Sequence, residues 1–224
     1  MKTTPKNLAF QFFGKTANTY EFVATFATFG KDNYWKSKII KLIEKGESIL
    51  DLACGTGKLT RVIAKKFPQS EIIGLDISKP YLAIAQKNSL SNISFIYQDA
   101  EKLDLTQRFD CICSSYLAKY CTPKILVERC INHLKPGGTL IFHDFSYPAN
   151  KAVKKFWKFH FLLLGFIGNF IPYWKYAFLE LPKLIQESNW VEQYIQELEN
   201  NGLKVTQLNL TWNTSVILLA RKNT

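Results

Sequence analysis

The sequence predicts an α/β fold, a mostly parallel sheet covered by helices on both faces. From residue 47 onward, short β-branched runs alternate with amphipathic stretches, which is typical of such a sheet. The first run ends in the glycine turn "ILDLACGTG" at residues 49–57. Near the C-terminus, "LKVTQLNL" and "TSVILLARK" are separated only by "TWN". So short a link cannot form a parallel crossover, which predicts an antiparallel hairpin.

Each element has its own signal. Ahead of the first strand, helices are expected at residues 6–28 and 32–45, because apolar residues recur at helical spacing at Phe10, Phe13, Ala17, Tyr20 and Ala24. The five parallel strands are predicted at "SILDLA", "EIIGLDI" from Glu71, "ISFIYQ" from Ile93, "FDCICSS" from Phe109 and "TLIFHDF" from Thr139. Before the fifth strand, a helix capped by Thr122 and begun by Pro123 is expected to end at "KPGG".

The alternation stops after the fifth strand. Residues 148–187, rich in aromatic residues and lysine, are predicted to form inserted helices, and a further helix is expected to stop at Gly202. We therefore expect a single domain over residues 1–224. Its parts are an N-terminal helical lid at 1–45, a core at 46–147, the insert at 148–187, and a C-terminal helix with the hairpin at 188–224.

Composition narrows the class of protein. Hydrophobic residues make up 47% of the 224 residues, which argues against disorder. Five cysteines without partner motifs predict neither a disulfide framework nor a metal site. The longest apolar run, Phe161 to Ile171, is shorter than the roughly 20 residues of a membrane span, and no signal peptide is recognisable. These features predict a cytoplasmic protein. The net charge of +11 leaves a solvated surface and peripheral contact with an anionic membrane as alternatives.

Glycine and acidic residues follow the first three strands, where an open parallel sheet binds its ligand. Gly55 and Gly57 allow a close backbone approach, or simply a left-handed turn. Asp51 can accept the ammonium group of an amino-acid-like ligand. Asp76 can accept hydrogen bonds from ribose hydroxyls or cap the next helix, and Asp99 lies where a base edge would be read or an Asx-turn formed.

The ordered set "DLACGTG", "GLDIS", "QDAEKL", "FDCICSSYL" and "LKPGGTLIFHDF" resembles the class I S-adenosylmethionine (SAM)-dependent methyltransferases over residues 47–146. The resemblance implies their Rossmann-like fold, with a seven-stranded sheet whose last strand is inserted antiparallel. It implies SAM as the cofactor and S-adenosylhomocysteine as the product. The residues that it assigns to cofactor binding are Asp51, Ala53, Gly55, Gly57, Asp76, Ile77, Asp99, Ala100, Ser115 and Tyr20.

Within this group, Asp51 and the glycine backbone are assigned to the methionine part of SAM and Asp76 to the ribose. Asp99 with Ala100 is assigned to the adenine, and Ser115 lies beside the sulfonium. Tyr20, together with Trp35, is interpreted either as a lid residue or as a core residue of the N-terminal helices.

The segments "FFGKTANTYEFVATFATFGKDNYWK" and "LKPGGTLIFHDFSYP" are similar to the ubiquinone and menaquinone biosynthesis C-methyltransferases. Those enzymes usually carry Phe-Gly-Leu-Arg-Asn after the fourth strand, whereas this chain has "YLAKY" at 116–120. Trp212 and Asn213 replace the family's glycines near the C-terminus. Because both departures lie where an acceptor would bind, the catalytic candidates are given only as residues on the rim of the site: Lys119, Tyr120, Tyr116 and His143.

The expected partner is a lipophilic small molecule, first a prenylated quinone precursor. The alternatives are a phospholipid headgroup methylated on nitrogen, another small-molecule acceptor, and a SAM-binding accessory protein without catalysis. The aromatic, lysine-rich insert suits either a lipid tail and an anionic membrane or a packed helical cap. Nucleic acid is not expected, because the fourth strand lacks the Asn/Asp-Pro-Pro-aromatic motif of base-amine methyltransferases. A homodimer is left open.

Overall fold

The computed structural model describes residues 5–13, 15–44, 46–171 and 173–222, without the side chains of Phe10 and Gln11. In this part of the chain the helices are α1 (Pro5–Phe13), α2 (Tyr20–Ala27), α3 (Lys31–Leu42), α4 (Lys58–Lys66), α5 (Lys79–Lys87), α6 (Pro123–Asn132), α7 (Lys151–Ile167), α8 (Trp174–Glu187) and α9 (Trp190–Asn200). The strands are β1 (Ser48–Leu52), β2 (Glu71–Asp76), β3 (Ile93–Tyr97), β4 (Phe109–Ser115), β5 (Leu134–Phe145), β6 (Lys204–Leu210) and β7 (Ser215–Arg221).

The predicted sheet is confirmed. Its strand order is β3-β2-β1-β4-β5-β7-β6, with parallel pairing up to β5 and antiparallel pairing of β7 with both β5 and β6. The chain thus winds outward in both directions from the β1/β4 pair. Ligands of such sheets bind in the crevice outside the carboxyl ends of the strands at this switch point.

Apolar clusters cover both faces of the sheet, as predicted. One face packs against α6 and α9 through residues such as Val127 and Tyr194, and the other packs against α3 and α4 through Ile39 and Ile63. A third cluster joins α1, α2, α7 and α8 to Tyr120, which follows β4. The inserted helices and the N-terminal helices therefore form one cap beside the carboxyl end of β4.

The single helix predicted at 6–28 is wrong, because the chain forms α1 and α2 with a short 3₁₀ turn (Ala17–Thr19) before α2. Thr16 explains the end of α1: its hydroxyl donates to the Phe12 carbonyl at 2.6 Å and lies 2.8 Å from the Tyr81 hydroxyl. Such side-chain bonds compete with helical ones. The predicted apolar face included Phe10, whose side chain is outside the described residues.

The expected helix end at "KPGG" is also wrong. Helix α6 ends at Asn132, and the His133 Nδ1 donates to the Arg129 carbonyl at 2.7 Å, which satisfies a terminal carbonyl of α6. The "KPGG" residues instead begin β5, which pairs with β4 from Leu134 and shifts register between Phe109 and Cys111. Strand β5 therefore starts five residues earlier than predicted.

Within the described ranges, every helix is too short or too polar to cross a bilayer.

Candidate functional site

A cleft of about 710 Å³, including its open mouth, lies at the carboxyl ends of β1, β2 and β4. We call it the cofactor cleft. Eight of the ten residues predicted to bind a cofactor line it: Tyr20, Ala53, Gly55, Asp76, Ile77, Asp99, Ala100 and Ser115. Asp51 lines an adjoining recess of about 410 Å³ that shares Tyr20, Ala53, Gly55, Ser115 and Tyr116 with the cleft. Gly57 lines neither space, and its backbone instead leads into α4.

The turn after β1 has an unusual backbone. Ala53, Gly55 and Gly57 have φ values of 55°, 57° and 78°, all in the left-handed region. Glycine adopts this region freely, whereas for Ala53 it costs energy. Tyr116, after β4, is likewise left-handed at φ 71°. Strained non-glycine residues thus end both strands at the switch point, which is typical of functional sites.

Asp76 organises the turn. One of its carboxylate oxygens accepts the Gly55 amide at 2.8 Å, and the other accepts the Ser78 amide at 2.8 Å. Burial raises the pKa of Asp76, and these amide hydrogen bonds oppose the increase. The Ser78 hydroxyl donates to the Phe13 carbonyl at 3.2 Å. Asp76 therefore fixes the glycine turn and keeps free lone pairs for hydroxyl donors.

Asp51 is 1% exposed and lies at the recess. Burial raises its pKa to about 7, although a 2.7 Å hydrogen bond from Thr60 and the charge of Lys36 both act in the opposite direction. Thr60 holds the position at which a dinucleotide-binding turn would have its third glycine. The Asp51 carboxyl is therefore partly protonated at neutral pH, and a cationic ligand group bound beside it would favour its ionised form.

This pKa predicts a proton linkage. Below pH 7 the Asp51 side chain is mostly protonated, so a ligand ammonium that binds beside it must displace a proton. We expect S-adenosylhomocysteine affinity to rise with pH between 5.5 and 7, by at most about tenfold per pH unit. Calorimetric titration at pH 6.5 in two buffers of different ionisation enthalpy should show proton release. The same release in Asp51→Asn would contradict the assignment to Asp51.

The end of the cofactor cleft that follows β3 includes an unpaired polar atom. Gln98 lines the cleft, and its Oε1 is buried without a hydrogen-bond partner among the described residues. Beside it, Asp99 accepts the Glu101 amide at 3.1 Å, which is the Asx-turn considered above, and pairs with Lys6 at 2.5 Å. An acceptor without a donor next to a carboxylate suits an exocyclic amine. The residues present therefore fit an adenine, and Gln98 is one that sequence reasoning missed.

A charged cluster in the recess was also missed. Asp32, 1% exposed, pairs with Lys36 and with Lys58 at 2.8 Å, and accepts the Tyr116 hydroxyl at 2.9 Å. Burial alone would raise the pKa of Asp32, but the two lysines outweigh it and hold the pKa at about 2. The recess therefore presents ammonium groups beside Asp51, which is a suitable environment for both ends of an amino-acid zwitterion. The only sequence signal was an acidic and a basic residue four apart on α3.

A second, apolar space of about 600 Å³ opens beside the cofactor cleft. We call it the acceptor cavity. It shares Phe13, Tyr20, Tyr116 and Tyr120 with the cleft, and its wall is completed by Phe12, Val23, Ala24, Ala27, Thr28, Lys119, Phe145, Trp174, Ala177, Phe178 and Leu181. Burial raises the pKa values of Tyr20, Tyr116 and Tyr120 well above the ordinary value. These phenols are therefore protonated at neutral pH and cannot serve as bases, and the Tyr116 hydroxyl already donates to Asp32.

Lys119 is the cation of this cavity. Its ammonium, 1% exposed, pairs with Asp144 at 2.6 Å, donates to the Tyr116 carbonyl at 3.2 Å, and lies 4.4 Å from the centre of the Tyr120 ring. Burial lowers the pKa of Lys119, and the Asp144 carboxylate opposes this decrease. The Asp144 carboxylate also accepts the amides of Lys119 and Phe145. Lys119 is thus a fixed positive charge at an otherwise apolar wall.

His143 is not brought to the cavity wall. It is fully buried in β5, with Nδ1 2.9 Å from the Ser115 hydroxyl and Nε2 2.7 Å from the Ser215 hydroxyl. Burial lowers its pKa to about 3, helped by the charge of Lys36. Since both ring nitrogens are engaged and the ring is neutral, His143 can orient Ser115 but does not reach an acceptor. Trp35 is 3% exposed and lies outside the cofactor cleft.

The N-terminal helices are tied to the sheet edge by side chains. Lys6 of α1 reaches Asp99 and Glu101, while Glu21 of α2 accepts the Thr56 hydroxyl at 2.7 Å and pairs with Arg61 at 3.1 Å. Tyr20 lines the cleft, the recess and the acceptor cavity. Tyr20 therefore lies between the cofactor cleft, the recess and the acceptor cavity.

Comparison with known proteins agrees with this geometry. A family model described as "Methyltransferase domain" matches residues 43–202. The demethylmenaquinone methyltransferase of Chlorobaculum tepidum is 30% identical over 220 residues, which cover 94% of this chain and 90% of that protein. Its namesake from Thermotoga maritima is 28% identical over 207 residues, or 90% of each chain.

Solved structures share the fold at low identity. The plantazolicin methyltransferase BpumL, solved in complex with SAH, has a TM-score of 0.66 at 14% identity, covering 98% of this chain and 95% of its own. Streptomyces venezuelae DesVI has a TM-score of 0.65 at 16% identity, covering 93% and 98%. The fold of this chain is therefore an architecture already known.

Proposed function

We propose that this chain, which belongs to the methyltransferase domain family and is a SAM-dependent methyltransferase, methylates a lipophilic quinol. The methyl group goes to a ring carbon, and the quinol is of the ubiquinone and menaquinone precursor type. The observation that carries the proposal is the acceptor cavity, an apolar space beside the cofactor cleft with one fixed cation, Lys119. The names of relatives at 28 to 30% identity support the same substrate class.

The chemistry follows from these residues. SAM supplies a methyl group on a sulfonium that leaves as a neutral thioether. The acceptor would bind with its hydroxyl already ionised, the proton having passed to bulk water. The carbon–carbon bond would form as the sulfur–carbon bond breaks, and the displaced ring proton would pass to water as the keto tautomer returns to the aromatic quinol. An ionised hydroxyl makes the ring carbon a better nucleophile, and a fixed ammonium in an apolar site stabilises that phenolate. In this proposal Lys119 stabilises the phenolate, the apolar walls exclude water, and Tyr120 orients the ring as a hydrogen-bond donor.

Lys119 also bears on the departure from the family pattern. The quinone enzymes carry Arg-Asn where this chain has Lys119 and Tyr120, so a cation is retained at the first position. The Asp144 carboxylate fixes that cation at 2.6 Å. Positioned charge of this kind is usually the largest single contribution to such a reaction. The substitution therefore retains the element that the chemistry needs.

Methyl transfer to defined acceptors tests the proposal. Purified protein is incubated with SAM labelled in its methyl group and either a reduced 2-prenyl-1,4-naphthoquinone or phosphatidylethanolamine vesicles. We expect label on the quinol ring carbon, and none with Asp76→Ala as a control for cofactor loss. Label confined to phosphatidylethanolamine would establish the alternative N-methylation and overturn this proposal, as would an absence of label in both acceptors.

We also propose that the acceptor is collected at an anionic membrane surface. Helix α7 exposes large apolar side chains over residues 156–166, and four lysines lie in its N-terminal half. The apolar residues are Phe156, Phe159, Leu162, Leu163 and Phe166, and the lysines are Lys151, Lys154, Lys155 and Lys158. Such a face suits interfacial binding. The protein should sediment with phosphatidylglycerol vesicles but not with phosphatidylcholine vesicles, and less well in high salt. Equal binding of Phe159→Ser/Leu162→Ser and the parent protein would exclude this face.

A further inference from the structure

A third space, of about 850 Å³ including its mouth, lies beyond the acceptor cavity. We call it the outer cavity. Three large side chains at its mouth are strongly exposed: Phe29 at 67%, Phe156 at 57% and Trp212 at 74%. Its depth is lined by buried Trp35 and Trp157. The outer cavity thus leads from solvent into the interior between the end of α2, helix α7 and the β6–β7 link.

The outer cavity and the acceptor cavity adjoin. They share Ala27, Thr28, Phe145, Phe178 and Leu181, which form a neck between them. The acceptor cavity in turn shares four aromatic residues with the cofactor cleft. The three spaces therefore adjoin one another in series from the cofactor cleft to the surface, past the α2 side of the cap.

Most polar side chains that line the outer cavity already have hydrogen-bond partners within the protein, and the Lys31 ammonium lies 5.9 Å from the centre of the Tyr34 ring. The Thr28 hydroxyl donates to the Ala24 carbonyl at 2.7 Å, and the His160 Nε2 donates to the Ala27 carbonyl at 2.8 Å. Trp35 Nε1 donates to the Thr211 hydroxyl at 2.8 Å, and the Thr214 hydroxyl donates to the Thr211 carbonyl at 2.8 Å. A polar ligand would find few partners there to offset its desolvation, whereas a hydrocarbon chain needs none.

The backbone at the mouth is strained. Thr211, Trp212 and Asn213 have consecutive φ values of 44°, 55° and 63°, a left-handed run without glycine. Conformations of this kind persist only where the surrounding structure holds them, and they cluster at functional sites. Here the Thr211 side chain is held by Trp35, and the result is an exposed indole at the mouth.

We infer that the outer cavity binds the hydrocarbon tail of the methyl acceptor while the ring lies in the acceptor cavity. The inference rests on the proposed function for the identity of the ring, but the tail site itself is defined by the neck and by the satisfied polar groups. A tail longer than the cavity leaves through the mouth between Phe29, Phe156 and Trp212. The five neck residues then set how bulky a chain the enzyme accepts.

Quenching of tryptophan fluorescence tests the tail site without any reaction. The hydrocarbon probe 11-bromoundecanol should quench the fluorescence in a saturable way, because Trp35, Trp157 and Trp212 line the cavity and bromine quenches at contact. Val153→Phe fills the cavity from α7 and should weaken the binding at least about tenfold. Ala152→Phe, on the exposed neighbouring position, is the matched control and should bind the probe as the parent protein does. If Val153→Phe does not fold, Val153→Met should give a smaller weakening.

A kinetic comparison separates the two proposals. The acceptors are 1,4-naphthohydroquinones that carry or lack a prenyl tail. Val153→Phe should lower kcat/KM for the tailed acceptor about tenfold relative to kcat/KM for the tailless one, and Ala152→Phe should leave this ratio unchanged. Linear quenching, or equal quenching in the two variants, would overturn the tail site whatever is methylated. Saturable quenching that Val153→Phe abolishes, without methylation of any quinol, would support the tail site and overturn the proposed function.

Discussion

Asp76→Ala is expected to weaken SAM binding by roughly 100-fold or more while leaving the chain folded. Hydrogen bonds to a charged group contribute about 1.5–3 kcal/mol each, and this variant loses two toward the ribose. Because about 1.4 kcal/mol corresponds to a factor of ten in affinity, two such losses reach at least this range. The Gly55 amide also loses its acceptor, so the turn that faces the ligand is loosened. Calorimetric titration with SAM measures the effect.

Two further variants make the Asp76 result specific. Asp76→Asn retains one acceptor oxygen without the charge, so its affinity should lie between that of Asp76→Ala and the parent. Asp104→Ala removes an exposed carboxylate that does not line the cofactor cleft, and this variant should bind SAM normally. Circular dichroism should show the same helix content in all three variants. Normal SAM affinity in a folded Asp76→Ala protein would refute the ribose assignment.

Asp144→Ala is expected to destabilise the protein by about 3–5 kcal/mol, because it leaves the Lys119 ammonium buried without its counter-charge. For a chain of this length, this corresponds to a decrease in melting temperature of roughly 6–20 °C. The side chains of the pair are 1% and 0% exposed, so water cannot replace the missing carboxylate. Urea denaturation gives the free energy of unfolding for comparison with the parent protein.

The double variant Lys119→Met/Asp144→Asn separates stability from catalysis. Replacing both charges removes the unpaired ammonium, and the amide oxygen introduced at position 144 can still accept one of the two backbone amides that Asp144 accepts, so part of the lost stability should return. If Lys119 stabilises the phenolate, methyl transfer should nevertheless fall about 100-fold or more, as it does when one preorganised electrostatic group is lost. A stable double variant with full activity would show that the pair is purely structural.

The parts of this molecule that the sequence predicted well are local. Gly55, Asp76 and Asp99 follow strands whose apolar runs are plain, so their positions at one sheet edge follow from the parallel topology. The break between α1 and α2 could not be predicted in this way, because it depends on Thr16 meeting Tyr81 across 65 residues. The hydrophobic periodicity alone continues through that break.

The missed site residues depend on distant partners. Asp32 becomes significant only because Lys58 and Tyr116, 26 and 84 residues away, reach it. Lys119 was a candidate from its position after β4, but its pairing with Asp144 across 25 residues is a tertiary fact. The prediction that His143 lies on the rim of the site did not hold, because the side chain contacts Ser215 on the inserted strand β7. His143 therefore does not line the acceptor cavity.

The inserted strand also constrains how the molecule is made. Strand β7 lies between β5 and β6, so residues 215–221 fill the centre of this half of the sheet. These residues leave the ribosome only after all the other strands of the sheet. Until then β5 has an open edge, with hydrophobic residues that invite pairing with another chain. The Ser215 hydroxyl that holds His143, and through it Ser115, arrives in the same step. During synthesis, the cofactor cleft can therefore be completed only when the hairpin closes, and a nascent chain stalled before residue 215 would be an aggregation-prone species without a finished site.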